Sequence, residues 1–255
     1  MTRIISVLSG KGGVGKSTVT ASLGAALADM GHDVLLIDGN LTTPNLSLHL
    51  GMPFYPKTLN DLLTKKAKPP EVIYQHYDGF KVIPSSLSVK ELKNIDLSKL
   101  QSVLLNLLGK ADIILIDGAA GLGREARTVM ELSDEVILVI SADMPSVTDA
   151  LRAIKLAEEK GIKVSGIVVN RYRGKKHEMT LNDIKDMLEY NIISIIPEDE
   201  AVPQSIAAKR PVVKHRPYSR AAIEIRRLAQ AVSSGRLSKE LERPGFWERI
   251  LKLFK

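Results

Sequence analysis

The residues best suited to chemistry form a glycine-rich segment near the amino terminus, Gly10-Lys-Gly-Gly-Val-Gly-Lys-Ser17. It matches the pattern G-x-x-x-x-G-K-[ST], whose glycines let backbone N–H groups surround an anion. Lys16 supplies a positive charge for β- and γ-phosphates, and Ser17 supplies a hydroxyl for Mg²⁺. The segment is therefore predicted to bind the phosphates of a nucleotide.

Such a loop needs a strand before it and a helix after it, and the sequence predicts both. Arg3–Leu8 is a β-branched apolar run, and residues 16–30 show helical spacing up to the C-cap residue Gly31. Similar apolar runs predict six more strands at Asp33–Ile37, Phe80–Ile83, Ile113–Ile116, Val136–Ile140, Lys163–Val169 and Ile192–Ile196. Further helices are predicted at about 98–108, 124–132, 146–159, 180–189 and 218–233. Apolar strands alternating with helices indicate a three-layer α/β fold whose mostly parallel sheet is covered on both faces.

Two carboxylates are predicted to lie beside the loop. Asp38 and Asp117 each end an apolar strand, and parallel sheets bind ligands beyond the carboxyl ends of their strands. Carboxylate oxygens suit a hard cation such as Mg²⁺. Either aspartate alone is equally typical of a helix cap or a turn, but two of them beside a phosphate loop favour a metal site. By contrast, the segment Pro44–Pro70 is loosely patterned and is predicted to be a surface excursion with one short helix.

Composition excludes several classes of function. There is no cysteine, which excludes disulfides, thiol catalysis, iron–sulfur clusters and cysteine-ligated zinc. The five histidines show no metal-ligand spacing. We expect a cytosolic protein, because no apolar run approaches the ~18 residues of a membrane span and the first residues do not resemble a signal peptide.

Positive charge is concentrated at the carboxyl end. The net charge is +7, yet residues 1–204 carry −2 and residues 205–255 carry +9. This asymmetry indicates an anionic partner, nucleic acid or membrane, near the carboxyl end. The alternative is a basic helix face that is only solvated.

The last residues predict an amphipathic helix. Residues 1–233 are predicted to form one domain, 234–243 a polar linker and 244–255 the helix. One face of this helix is apolar, and Glu248, Arg249, Lys252 and Lys255 occupy the other. Such a pattern is typical of a helix that lies in a membrane surface. The alternative is a terminal helix that docks on the protein's own core. The apolar face consists of Phe246, Trp247, Ile250, Leu251, Leu253 and Phe254.

The phosphate loop contains a second lysine, Lys11, and Lys11-Gly-Gly-Val-Gly-Lys-Ser-Thr18 resembles the deviant Walker A motif of the MinD/ParA ATPases. The resemblance covers essentially residues 2–255 and is greatest to archaeal and bacterial MinD because of the amphipathic tail. Other segments match the family in the same order: Asp38-Gly-Asn40, Thr43–Gly51, Ile116–Gly121, Val169-Asn170-Arg171 and Ile196-Pro-Glu-Asp199.

The resemblance implies the cofactors ATP and Mg²⁺ and a role for each matching residue. Lys11 would reach the nucleotide of a partner subunit, so that ATP joins two copies. Asp38 and Asp117, with Ser17, would hold Mg²⁺. Asn170 would read the adenine edge, beside Arg171 and the backbone around Pro197, Glu198 and Asp199. The phosphate contacts would come from Gly10, Lys11, Gly12, Gly13, Val14, Gly15, Lys16, Ser17 and Thr18.

Two positions depart from the family pattern. Position 40 is Asn where the family has an Asp that positions and activates the attacking water, and position 119 is Ala where Pro is usual. An amide can orient a water but cannot take its proton. We therefore expect slow or trapped hydrolysis.

The resemblance implies a MinD-like ATPase that dimerises on ATP, binds an anionic membrane through its tail and is released on hydrolysis. It would act on the inner face of the cell membrane in positioning the division site or another polar structure, with an activator or cargo protein as partner. One alternative is a DNA-partitioning ATPase of the ParA type, and another is an ATP-dependent scaffold with little hydrolysis. A metallocluster carrier of the same superfamily would need cysteines that the chain lacks. The DNA-binding patch would consist of Arg210, Lys214, Arg216, Arg220, Arg226 and Arg227.

Overall fold

An eight-stranded sheet forms the centre of the computed structural model, which describes residues 2–52, 54–88 and 95–235. The strands are β1 Arg3–Ser9, β2 Val34–Asp38, β3 Tyr74–Gln75, β4 Lys81–Ile83, β5 Ile113–Ala120, β6 Glu135–Ile140, β7 Lys163–Tyr172 and β8 Ile192–Pro197. In space they follow the order β3-β4-β2-β5-β1-β6-β7-β8, and every adjacent pair is parallel except β3 with β4.

Helices cover both faces of the sheet, which confirms the predicted three-layer α/β fold. The helices are α1 Lys16–Asp29, α2 Leu46–His49, α3 Leu59–Leu63, α4 Pro69–Val72, α5 Leu100–Leu107, α6 Arg124–Glu131, α7 Met144–Glu159, α8 Leu181–Leu188, α9 Ala201–Ala207, α10 Val212–His215 and α11 Arg220–Ser233. Helices α3 to α8 pack against one face of the sheet in one apolar core, and α1, α2 and α9 to α11 pack against the other face in a second core. A 3₁₀ turn, Leu97–Lys99, precedes α5.

The central strands are apolar on both faces because both faces are covered. Every residue of β2 and β6 is buried, and so are all residues of β1 except Arg3. This is the expected composition of a parallel sheet between two helical layers.

The prediction for Pro44–Pro70 was wrong in part. The segment contains two complete short helices, α2 and α3, and the beginning of α4. Leu46, Leu59 and Leu63 are fully or almost fully buried, so the segment contributes to the cores instead of lying on the surface. Its helices of four or five residues are too short for a periodic pattern to predict. The short antiparallel strand β3 was also not predicted.

The strand order places the phosphate loop where ligands bind in open α/β sheets. β1 pairs with β5 on one side and with β6 on the other. The order of the strands along the chain therefore changes direction at β1. Asp38 and Asp117 are direct register partners on the adjacent strands β2 and β5. Both carboxylates therefore lie at the carboxyl edge of the sheet, next to the loop that follows β1.

The predicted amphipathic helix 244–255, with all six of its apolar residues, lies outside the described residues, as does the predicted linker beyond Gly235. None of the helices that the structure describes has both the length and the apolar composition needed to cross a bilayer.

Candidate functional site

The segment between β1 and α1 has the backbone shape of an anion-binding loop. Gly13 and Gly15 have φ angles of 80° and 91°, a conformation that side chains with a Cβ rarely adopt. A Cβ on Gly15 would also lie 2.3 Å from Nδ2 of Asn170. No side chain of the described residues caps the N-terminus of α1, so its free N–H groups face the loop. The loop therefore offers backbone donors and a helix terminus to a phosphate.

Lys16 lies at the bottom of this loop in a buried ion pair. Its Nζ is 2.6 Å from Oδ1 of Asp117, and the two side chains are 7% and 0% exposed. The Thr20 hydroxyl, one turn further along α1, lies 3.4 Å from the same oxygen. Thr20 was not predicted as a site residue, although its i+4 spacing from Lys16 places it on the same helix face. Asp117 thus holds the ammonium group next to the phosphate loop.

The two aspartates form an electrostatically unfavourable pair. The second oxygen of Asp117, Oδ2, is buried and has no hydrogen-bond partner among the described residues. Asp38 is completely buried and accepts hydrogen bonds from the backbone N–H groups of Asn40, at 3.2 Å, and Leu46, at 3.1 Å. Burial, together with the negative charge of Asp117, raises the pKa of Asp38 to about 8. A cation would relieve both the orphaned oxygen and the like-charge repulsion.

These groups fit Mg²⁺ bound together with a nucleotide. No cluster of three or more carboxylate or histidine ligands occurs within residues 2–52, 54–88 and 95–235. Mg²⁺ typically takes one or two carboxylates and completes its shell with phosphate and water. Asp38, Asp117 and the partly exposed Ser17 would supply that protein contribution.

Asn40 holds the loop after β2 together. Its Nδ2 donates to the Thr43 carbonyl at 2.7 Å, and its Oδ1 accepts from the Thr43 N–H at 3.1 Å. Next to it, the Thr42 hydroxyl bonds the Glu125 carboxylate of α6. A cavity of about 520 Å³ opens between this loop and the end of β5. The side chain predicted to face the attacking water is thus engaged with its own loop.

Lys11 is placed quite differently from Lys16. Its side chain is 49% exposed, and its Nζ lies 3.6 Å from Oδ1 of Asp143. Asp143 also caps α7 by accepting from the Ser146 N–H at 3.0 Å. Burial favours a higher pKa for Asp143, but its hydrogen bonds and Lys11 outweigh burial and lower it. Asp143 was not predicted from the sequence, either as the cap of α7 or as the partner of Lys11.

The residues predicted for the adenine pocket lie at the ends of β7 and β8. Asn170 donates from Nδ2 to the Val14 carbonyl at 2.7 Å, so it contacts the phosphate loop itself. Arg171 is exposed and has a positive φ of 57°, a strained conformation of the kind that clusters at functional sites. The Asp199 carboxylate accepts from the N–H groups of Ala201 and Ala221, which lowers its pKa although burial opposes this.

Two further residues predicted for the adenine pocket, Pro197 and Glu198, make contacts with β7 and the residue that follows it. Glu198 pairs with Arg173 at 3.1 Å, and its backbone N–H donates to the Tyr172 carbonyl. Pro197 is the register partner of Tyr172. The strand ends therefore bring Asn170, Arg171 and Pro197 together, whereas the carboxylates of Glu198 and Asp199 serve local structure.

The basic residues considered for DNA binding are partly paired with carboxylates, and two of them, Lys214 and Arg226, share Asp29. Arg210 pairs with Asp78 at 2.9 Å, and Arg226 pairs with Asp29 at 3.2 Å. Ion pairs within the domain engage four of the six: Arg210, Lys214, Arg226 and Arg227. This pairing leaves less positive charge for a phosphate backbone.

The chain is similar to known proteins over most of its length. Residues 5–212 match the CobQ/CobB/MinD/ParA nucleotide binding domain. An uncharacterized ATP-binding protein of Methanocaldococcus jannaschii is 34% identical over 257 residues, covering 99% of this chain and 98% of that protein.

The chain is also similar to proteins whose structures have been solved. The septum site-determining protein MinD of Pyrococcus horikoshii, complexed with Mg-ADP, is 36% identical with a TM-score of 0.88, covering 94% of this chain and 100% of that one. The MinC:MinD cell division protein complex of Aquifex aeolicus contains a chain 28% identical with a TM-score of 0.83, covering 94% of this chain and 98% of that one. The phosphate loop, the paired aspartates and these matches together show that the chain belongs to the MinD/ParA family of P-loop ATPases.

Proposed function

We propose that this protein is a MinD-like ATPase that dimerises when it binds ATP, attaches to an anionic membrane surface and is released by hydrolysis. By analogy with its relatives, it takes part in placing the division site or another polar structure, together with an activator or cargo protein.

The different positions of the two loop lysines carry the proposal. Lys16 is buried on Asp117, where it serves the nucleotide of its own subunit. Lys11 lies half-exposed at the mouth of the same loop, where its one ion pair within the described residues is a 3.6 Å contact with Asp143, whose side chain is itself 41% exposed. Exposed ion pairs contribute about 0–1 kcal/mol, so this contact yields readily to a stronger anion. A lysine so placed is available to the phosphates of a second subunit.

Each residue of the site would have its own role in binding the nucleotide and Mg²⁺. The loop N–H groups and Lys16 would bind the phosphates, and Asp38, Asp117 and Ser17 would hold Mg²⁺. Asn170 would position the loop through Val14 while remaining beside the base. Bound ATP with Mg²⁺ supplies the phosphoanhydride bond and the charge that joins two subunits.

Membrane attachment is assigned to residues 244–255. About ten residues are too few for a stable isolated helix in water, so one segment binds a membrane weakly. Two segments in one dimer gain an effective-concentration advantage of about 10²–10⁴. Membrane binding would therefore follow the nucleotide state.

The dimer is tested by replacing each loop lysine with alanine. We expect Lys16→Ala to abolish nucleotide binding in calorimetry, because it removes a charge-assisted contact to the phosphates. We expect Lys11→Ala to bind ATP yet to elute as a monomer in size-exclusion chromatography. Lys155→Ala, an exposed lysine of α7, is the matched control and should still dimerise. A Lys11→Ala protein that dimerises on ATP would refute the proposed dimer.

Membrane attachment is tested by co-sedimentation with vesicles of anionic phospholipid, with ATP or ADP and with competing DNA. We expect binding with ATP that falls as salt is raised, and no binding after Trp247→Glu with Ile250→Glu. This double variant should still dimerise on ATP as the unchanged chain does. Salt-sensitive DNA binding that survives this double substitution would support the DNA-partitioning alternative.

Slow hydrolysis is the part of the proposal that rests on Asn40. Its amide cannot accept a proton, and both of its polar atoms are engaged by Thr43. The protein would then accumulate as an ATP-bound dimer and act for long periods as a scaffold. Single-turnover measurement of phosphate release, with and without an activator, tests this part.

A further inference from the structure

A groove lined by both apolar and acidic side chains lies at the amino edge of the sheet, opposite the nucleotide site. It has a volume of about 850 Å³ and runs between the start of β1, helix α5 and the end of α6. Leu105 and Leu108 line it and are 61% and 46% exposed, among the most exposed large apolar side chains of the described residues. Isolated exposed leucines are ordinary. These two, however, line one groove together with the buried side chains of Ile4 and Leu104.

The rim of this groove is acidic. Four carboxylates line it, from Asp33, Asp112, Glu131 and Asp134. Lys81 and Lys160 pair with the first and third of these. Asp112 and Asp134 have no ion-pair partner within the described parts of the chain, although both accept backbone hydrogen bonds. An occupant with an apolar face and basic flanks would match this surface.

The described chain ends at the same amino edge of the sheet as the groove, although α11 packs on the opposite face. Helix α11 ends at Ser233, whose hydroxyl lies 2.6 Å from Nε2 of His32. The preceding carbonyl, that of Val232, accepts from Arg3 at 2.7 Å. His32 adjoins Asp33, and Arg3 lies between two residues that line the groove. Residues 236–245 can span up to about 33–36 Å, which is enough to pass around the edge of the sheet.

We propose that the carboxyl-terminal segment 246–255 of the same chain docks in this groove when the protein is not on a membrane. The segment has the required chemistry: a broad apolar face, including Trp247, flanked by Arg249, Lys252 and Lys255. Leu105 and Leu108 contact that face, and the carboxylates of Asp112 and Asp134 face its basic side chains. The groove and the bilayer therefore compete for the same surface of one helix.

A weak groove is sufficient for this competition, because the segment is tethered. Short flexible linkers give an effective concentration in the mM range, so a groove dissociation constant a few times below that concentration keeps most segments docked. A monomer then keeps its segment off the membrane, and the paired segments of a dimer overcome the groove. This role rests on the proposed membrane attachment, but docking itself does not.

Trp247, the only tryptophan, reports docking directly. The full chain with ADP and without lipid is compared with a synthetic peptide of residues 236–255. We expect a blue-shifted emission and an acrylamide quenching constant about threefold lower than that of the peptide, given mM tethering. Leu105→Lys with Leu108→Lys should return both values to those of the peptide and increase vesicle binding in the ADP state.

Two controls keep the result interpretable. Ile223→Lys, an exposed apolar position on α11, should leave the emission blue-shifted. Ile250→Glu, which leaves the folded domain untouched, should expose Trp247 as the groove variant does. Thermal unfolding followed by circular dichroism verifies that the groove variant is folded.

The proposal is overturned if Trp247 in the full chain behaves as it does in the peptide. It is equally overturned if protection is unchanged by the groove variant, or if protection grows with protein concentration, which would indicate a second copy as the partner. Docking without any ATP-dependent vesicle binding would refute membrane attachment and leave the groove assignment standing. Vesicle binding without docking would refute the groove assignment and leave membrane attachment standing.

Discussion

Replacing Lys16 with methionine should destabilise the nucleotide-free protein, apart from its effect on binding. The Nζ of Lys16 lies 2.6 Å from Asp117, and the side chains are 7% and 0% exposed. Removing one partner of a buried ion pair leaves the other charge uncompensated and typically costs 3–5 kcal/mol. Methionine retains the apolar stem, so lost packing contributes little.

The magnitude is consistent with the electrostatics of the pair. Two unit charges 4 Å apart attract by about 4 kcal/mol at an effective dielectric constant of 20, and the 2.6 Å pair is closer than that. Full stability of a domain is typically about 5–15 kcal/mol, so the variant would lose a large share of it. A loss of nucleotide binding in Lys16 variants must therefore be measured at a temperature where the variant is still folded.

A double-mutant cycle isolates the interaction. Urea unfolding of the nucleotide-free protein is measured for the unchanged chain, Lys16→Met, Asp117→Asn and the double variant. We expect a coupling energy of about 2–3 kcal/mol, with the double variant more stable than Lys16→Met because the uncompensated charge is gone. Lys155→Met on the surface is the control and should change stability by less than about 0.5 kcal/mol. A cost below about 1 kcal/mol for Lys16→Met, or strict additivity in the cycle, would refute the reasoning.

Three further predictions concern the same site. Because the pKa of Asp38 is about 8 when folded and near 3.8 when unfolded, the folded state holds an extra proton between these values. Stability of the metal-free protein should then fall as pH rises from about 4 to about 8, by up to ~1.4 kcal/mol per pH unit; urea unfolding between pH 5 and 8 should show this slope, and Asp38→Asn should flatten it. Asn40→Asp loses the donor to Thr43 and gains a proton acceptor, so ATP turnover should rise at least tenfold; equal rates in a phosphate-release assay would show that another group does this work. Gly15→Ala should cost about 1–3 kcal/mol and weaken nucleotide binding, because φ is 91° and the new Cβ would meet Asn170; unchanged calorimetry would contradict the assigned loop geometry.

Local sequence determined the phosphate loop, the strands around it and the fold class. The motif from Gly10 to Ser17 is contiguous, and two of its glycines, Gly13 and Gly15, have the positive φ angles that favour glycine, so residue types alone predict its shape. The strands were predictable because burial on both faces demands unbroken apolar runs. The shortest elements were not, since α2, α3 and β3 are held by tertiary contacts and not by their own periodicity.

Only the tertiary structure decided how the predicted residues act on one another. The contact of Lys16 with Asp117 joins residues 101 apart, and that of Asn170 with Val14 joins residues 156 apart. Each depends on strand order and register, which place Asp38 opposite Asp117 and raise its pKa. The contact of Lys11 with Asp143 and the acidic groove at the opposite edge of the sheet also depend on how distant parts of the chain pack together. Composition and spacing specify which groups are present, but distances between them are set when non-local strands pair and the helices pack on both faces.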